Sequence, residues 1–180
     1  MSDSAAQPLR IRLAAALQSA HREVSLRDER DDDMPFLRGL YAEVRAQELS
    51  QVMDWSEEQK RAFTDSQLAL QREHYRRHYP GAEFLVLELA GVPIGRVYLC
   101  AFADTIRLMD IALVGEWCGQ GIGTALMHEL IQVTRERGTT LTLHVEPHNP
   151  AQRLYARLGF KFIEQRGVYD FLKWAPDAAS

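Results

Sequence analysis

The seven residues Cys118-Gly119-Gln120-Gly121-Ile122-Gly123-Thr124 stand between a β-branched run, Ile106 to Val114, and a stretch whose apolar residues Ile122, Leu126, Leu130 and Val133 share one helical stripe. This pattern commits the middle of the chain to strand, glycine-rich loop and helix, with Gly138 as the helix stop. It also makes an anion site. A helix start leaves about four backbone N–H groups without internal partners and carries roughly half a positive charge, and glycine lets an anion come close to the backbone. Spacing excludes two nucleotide motifs. A Walker loop needs Gly-Lys-Ser/Thr, yet no lysine occurs from Arg107 to Glu146; a dinucleotide fingerprint needs G-x-G-x-x-G, and here the third glycine, Gly123, comes one residue early.

The flanking segments predict an α+β domain. A short strand is expected over 24–27. The acidic run 28–33 before Pro35 reads as the capped start of a helix carrying Phe36, Leu40, Val44 and Leu49. A second helix is expected from Ser56 to about Tyr79, ended by Pro80-Gly81. Phe84 to Leu89 and Ile94 to Phe102 read as a hairpin, followed by the Ile106 strand, the loop and its helix, and a strand from Thr140 to Val145. A short helix over 151–158 and two closing strands, 160–165 and 169–174, complete a mixed sheet flanked by helices. Residues 1–22 are Ala/Ser/Gln-rich with Leu9, Leu13, Leu17 and Ala20 at helical spacing. They read as a mobile tail or short, loosely docked helix ahead of a domain over 23–176, in preference to an organellar presequence.

With 180 residues, 46% of them hydrophobic, one core is expected. The net charge of −4 argues against a nucleic-acid partner, and no apolar run approaches the roughly 20 residues of a membrane span. Cys100 and Cys118 have no metal-site spacing, and a reducing, cytoplasmic location follows as the simpler reading. His74 and His78, four apart on a helix, lack an evident third ligand, so no metal is expected.

A second motif narrows the reading. Asn149-Pro150-Ala151-Gln152-Arg153-Leu154-Tyr155-Ala156-Arg157-Leu158-Gly159-Phe160 resembles the N-x-A-x-x-L-Y-x-x-x-G-F element of the GCN5-related N-acetyltransferases (GNAT), and the 118–124 loop resembles their R/Q-x-x-G-x-G/A loop. The resemblance covers about 24–174. Cys118 stands where the family has Arg or Gln, which removes side-chain help to the cofactor but leaves the backbone cradle. It implies the GNAT fold, with a mostly antiparallel sheet splayed between the 106–114 and 140–145 strands to admit a pantetheine arm, and acetyl-CoA as cosubstrate. The implied cofactor-binding residues are Leu113, Cys118, Gly119, Gln120, Gly121, Ile122, Gly123, Thr124, Asn149 and Tyr155. Backbone N–H groups near Leu113, aimed by a bulge, would receive the thioester oxygen.

The implied activity is acetyl transfer to a primary amine of a small molecule, peptide or protein. The alternative is a non-catalytic acyl-CoA sensor of the same fold. Tyr155 matches the family's general acid. Asp110, a carboxylate in an otherwise apolar run, is the first choice of base, with His144 and Glu146 as alternatives. Tyr41, Glu43, Glu48, Asp54, Trp55, Glu57 and Glu58 are candidates for an acceptor groove suited to a cationic amine. The closing strands often pair across subunits in this superfamily, which leaves a homodimer as a possible assembly.

Overall fold

The computed structural model describes residues 8–176. Seven strands form one sheet in the order β1-β2-β3-β4-β5-β7-β6. They are β1 (Val24–Asp28), β2 (Glu83–Leu89), β3 (Val92–Ala101), β4 (Thr105–Leu113), β5 (Thr140–Val145), β6 (Lys161–Arg166) and β7 (Tyr169–Trp174). The helices are α1 (Leu9–Ala20), α2 (Met34–Leu49), α3 (Glu57–His78), α4 (Ile122–Arg137) and α5 (Gln152–Arg157). Every strand pairing is antiparallel except β4 with β5. The α+β class and the strand boundaries expected from the sequence agree with this to within a few residues.

Alternation along the strands divides the molecule into two layers. Val97 and Leu99 of β3, Ile106 and Leu108 of β4, and Leu141 and Leu143 of β5 join one core with Leu126, Leu130 and Val133 of α4. The intervening Arg96, Tyr98 and Arg107 meet α3 through Gln71, Tyr75 and Tyr79. α3 begins in a reciprocal cap: Ser56 Oγ accepts from the Gln59 N–H at 3.2 Å, and Gln59 Oε1 accepts from the Ser56 N–H at 2.8 Å.

Two expectations need correction. α1 is not loosely held: Leu9, Leu13 and Leu17 are buried in the core, and Arg12 bonds Glu129 Oε1 at 2.7 Å and Glu136 Oε2 at 2.5 Å on α4. A helix whose leucines lie four apart presents one stripe, and α4 supplies the surface that buries it. Residues 1–7 of the expected tail lie outside the described residues. The acidic run does start the helix as expected, but Asp33, the N-cap of α2, gives that helix no side-chain cap. Asp31–Asp33 form a 3-10 turn, and the buried Asp33 carboxylate takes the Arg27 guanidinium at 2.7 and 2.8 Å and the Arg30 N–H at 2.7 Å. The Arg27 hydrogen bond holds Asp33 below the usual carboxylate range, against the opposing effect of burial.

Among the described residues, no helix is long and apolar enough to cross a membrane.

Candidate active site

The parallel pairing of β4 and β5 is short. It runs from Thr105↔Thr140 to Leu108↔Leu143 and then stops. Beyond it β4 continues on β3 alone and β5 on β7 alone. Immediately past the last pair, Met109 is an extra residue: Tyr98 faces Asp110 and Leu99 faces Leu108. This β-bulge, in the strand where one was expected, stands at the fork of the sheet, four residues before Leu113. Gly95 of β3 lies against the far end of β4, where an added Cβ would come 2.5 Å from Ala112 O and 2.7 Å from Leu113 Cδ2. Leu113 itself is half-buried against the core, while Asp110, Ile111 and Ala112 line the opening.

The fork opens into a groove of about 600 Å³. Its walls include Leu143 to Val145 of β5 with Glu146 just after it, Asn149, Tyr155 of α5, Tyr41 and Arg45 of α2, and Tyr75 and Tyr79 at the end of α3. Tyr155, 5% exposed, reaches it from a short helix whose first turn is held by Asn149, since Asn149 Oδ1 accepts from the Ala151 N–H at 2.9 Å. Burial, with a smaller contribution from Asp110, pushes the Tyr155 hydroxyl up to about 12. No described residue hydrogen-bonds that hydroxyl. Tyr155, Asp110 and Asn149, separated by up to 45 positions in the chain, are therefore brought to one cleft.

Asp110 arrives with a partner that the sequence did not reveal. Its Oδ2 lies 2.5 Å from Nε of Arg96, a side chain 3% exposed beneath the groove. Arg96 Nη2 donates to Gln71 Oε1 at 3.0 Å, and its guanidinium lies over the rings of Tyr98 and Tyr41. His144, by contrast, stands at the solvent side of the groove with its ring 4.9 Å from that of Phe171. Partial burial, with the charges of Arg107 and Arg166, holds its pKa below the ordinary value. Arg107 bonds the Tyr79 hydroxyl at 3.1 Å.

The glycine loop follows β4 and a 3-10 turn over Gly115–Trp117. Gly119 and Gly121 have φ of 73° and 86°, a region costly to other residues, and Gly121 is the N-cap of α4 with no side-chain cap. Among the described residues, the N–H groups of Gly119 to Thr124 have no acceptor. Cys118 is exposed with Sγ turned back to Leu113 O and Val114 O, at 3.6 and 3.7 Å. Gln120 Nε2 donates to Glu116 O at 2.6 Å. Backbone amides, rather than loop side chains, are thus what this turn offers an anion.

The carboxylates proposed for the acceptor groove are not among its lining residues. Glu43 Oε1 accepts from the Gly115 N–H at 2.7 Å and so anchors the segment leading into the loop. Glu48 pairs with Arg45, Glu57 with Lys60, and Trp55 packs edge-on to Phe63. Of those seven residues only Tyr41 lines the groove. His74 also lines it, with its ring 4.6 Å from that of His78, and among the described residues no three His, Cys, Asp or Glu side chains converge as a metal set.

A sheet forked at a bulge with a buried tyrosine in the cleft, and an amide-rich turn at the start of α4, are the features that comparison with known proteins addresses. The acetyltransferase (GNAT) family model matches residues 49–160, and the chain belongs to that family. A Haemophilus influenzae [ribosomal protein bS18]-alanine N-acetyltransferase is 36% identical over 67 residues, which is 37% of this chain and 46% of that protein. A Bacillus subtilis protein whose name proposes the same activity is 31% identical over 84 residues, 46% of this chain and 56% of that protein. The chain thus spans about half the length of the curated relatives it matches. The PaiA N-acetyltransferase of Thermoplasma acidophilum, solved with coenzyme A, shares the fold with a TM-score of 0.61 at 19% identity, over 85% of this chain and 99% of that one.

Proposed function

We propose that the protein is an acetyl-CoA-dependent N-acetyltransferase whose acceptor is the α-amine of a peptide or protein N-terminus. The observation that supports this reading is the groove at the β4–β5 fork, lined by Tyr155, Asn149 and the β4 residues Asp110 to Ala112. The relatives named for acetylating an N-terminal alanine support the choice of acceptor. Acetyl-CoA would supply an acetyl group activated as a thioester.

The chain's own residues suit that donor. The unpartnered amides of Gly119 to Thr124 hold phosphate oxygens without a cationic side chain in the loop. The β4 backbone from Asp110 to Ala112 lies along the groove where the acyl end would rest. Asn149 lines the same wall, its amide nitrogen left over from the turn that its oxygen makes. Tyr155 stays protonated at neutral pH and holds the proton that a departing thiolate needs.

For the proton that the amine must lose, His144 suits the task better than the Asp110 expected from the sequence. Asp110 Oδ2 is already against Arg96, whereas the His144 ring is exposed at the groove surface, where partial burial and the charges of Arg107 and Arg166 favour its neutral form. Asp110 is then a fixed charge at the floor that orients the incoming amine.

The test uses purified protein, acetyl-CoA and three peptides beginning with alanine: one free at the N-terminus, the same one blocked there, and a blocked variant carrying an internal lysine. Fragment masses should place the acetyl group on the α-amine of the first peptide alone. Modification of the lysine, or of neither amine while a small amine is acetylated, would reject the acceptor assigned here.

A further inference from the structure

The family's loop has Arg or Gln at its first position, and this chain has Cys118. The substitution removes more than one donor. No lysine or arginine occurs between Arg107 and Arg135, Cys118 Sγ faces the carbonyls of Leu113 and Val114, and Gln120 is turned to Glu116 O. The loop therefore brings amides and no cation of its own to a ligand that carries several negative charges.

A side chain from a distant part of the chain stands beside it. His21 Nε2 lies 3.7 Å from where a Cβ on Gly121 would be, against the N-cap of α4. Its position is fixed by the backbone on both sides: the His21 N–H donates to Leu17 O at 2.6 Å, and the His21 carbonyl accepts from the Val24 N–H at 2.9 Å. The helix that delivers it is also fixed. Arg12 of α1 grips Glu129 and Glu136 far along α4, while His21 meets its start, so α1 runs antiparallel to α4 with its C-terminal end at the loop. Leu9, Leu13 and Leu17 are buried between them. This helix lies outside the segment that the family model matches, residues 49–160.

We propose that His21 is a phosphate-binding residue of the acetyl-CoA site, supplied by α1 in place of the side chain lost at position 118. Its Nε2–H donates to a phosphate oxygen of the coenzyme, a hydrogen bond assisted by the charge of the phosphate. On this account α1 is part of the donor site as well as of the core. The inference rests on the acetyl-CoA reading above.

The experiment compares the wild-type chain with His21→Ala, His21→Gln and His21→Arg by calorimetric titration with acetyl-CoA and with S-acetylpantetheine, which lacks the phosphates. His21→Ala and His21→Gln should weaken acetyl-CoA about tenfold, as loss of a charge-assisted hydrogen bond at a half-exposed position predicts. His21→Arg should stay within about threefold of wild type. S-acetylpantetheine should bind all four chains alike, and ligand-free melting temperatures should agree, because the hydrogen bonds at position 21 are made by the backbone. Equal acetyl-CoA affinity in all variants overturns the proposal, as does an equal loss for both ligands, which would mark a purely structural effect. A wild-type chain that binds no acetyl-CoA overturns the donor reading itself, a result distinct from either.

Discussion

Replacing Tyr155 by Phe separates chemistry from packing unusually well. The ring is 5% exposed and packs 5.6 Å from that of Phe160, contacts that phenylalanine keeps. The hydroxyl bonds no described residue, so its removal leaves no partner unsatisfied, and the change in stability should stay within roughly 0.5 kcal/mol. Acetyl-CoA affinity should change less than about threefold. The rate should not be spared: a positioned general acid contributes roughly 10²- to 10⁴-fold, or about 3–5 kcal/mol of barrier. Because the hydroxyl titrates at about 12, the wild-type rate should also show no alkaline decline from this residue below about pH 11. Thiol release on the best peptide acceptor, with calorimetry and thermal melting alongside, measures all of these. A variant that keeps more than about a third of the wild-type kcat would refute the role of Tyr155 as acid; one that melts several degrees lower would show that the hydroxyl is structural.

Leu13→Ala, at a fully buried position on α1, should cost about 3 kcal/mol and lower the melting temperature by roughly 6–12 °C; a shift under 1 °C would mean that α1 is not docked in solution. Asp33→Asn should destabilise the protein by about 1–3 kcal/mol near neutral pH. Because the folded carboxylate is held below its unfolded value near 3.9, its contribution is present above that value and lost as pH falls through the folded one, so urea melts should show the gap between variant and wild type closing below about pH 4. With His144 as base, kcat/KM should fall only as pH drops through a midpoint below about 6.5, and His144→Gln should abolish that limb while Asp110→Asn leaves it in place; the reverse pattern would return the base to Asp110.

What could be read in advance was local. The 118–124 turn, the stripe from Ile122 to Val133 and the Asn149–Phe160 element each state their structure within a short window, and the β-branched runs on either side of α4 show where the forked strands lie. The features that were missed depend on residues far apart in the chain. Leucine spacing on α1 predicts a helix, but its docking needs Glu129 and Glu136, more than 100 positions away. Asp110 reads as an isolated carboxylate because Arg96 approaches it only through the β3–β4 pairing. The bulge at Met109 changes no residue type and leaves no compositional trace. Glu43 looked like groove surface because nothing local links it to the Gly115 amide, and His21 was unremarked because Gly121 lies 100 positions ahead of it.

Every role assigned to the groove and the loop depends on acetyl-CoA as the donor. Calorimetric titration of the purified protein with acetyl-CoA, followed by thiol release with an alanine-leading peptide, tests it in one preparation. Saturable binding, and turnover that requires the free α-amine, is the predicted result. Absence of acetyl-CoA binding by a folded protein would contradict it, since the amides of Gly119 to Thr124 would then not be the phosphate site assigned to them.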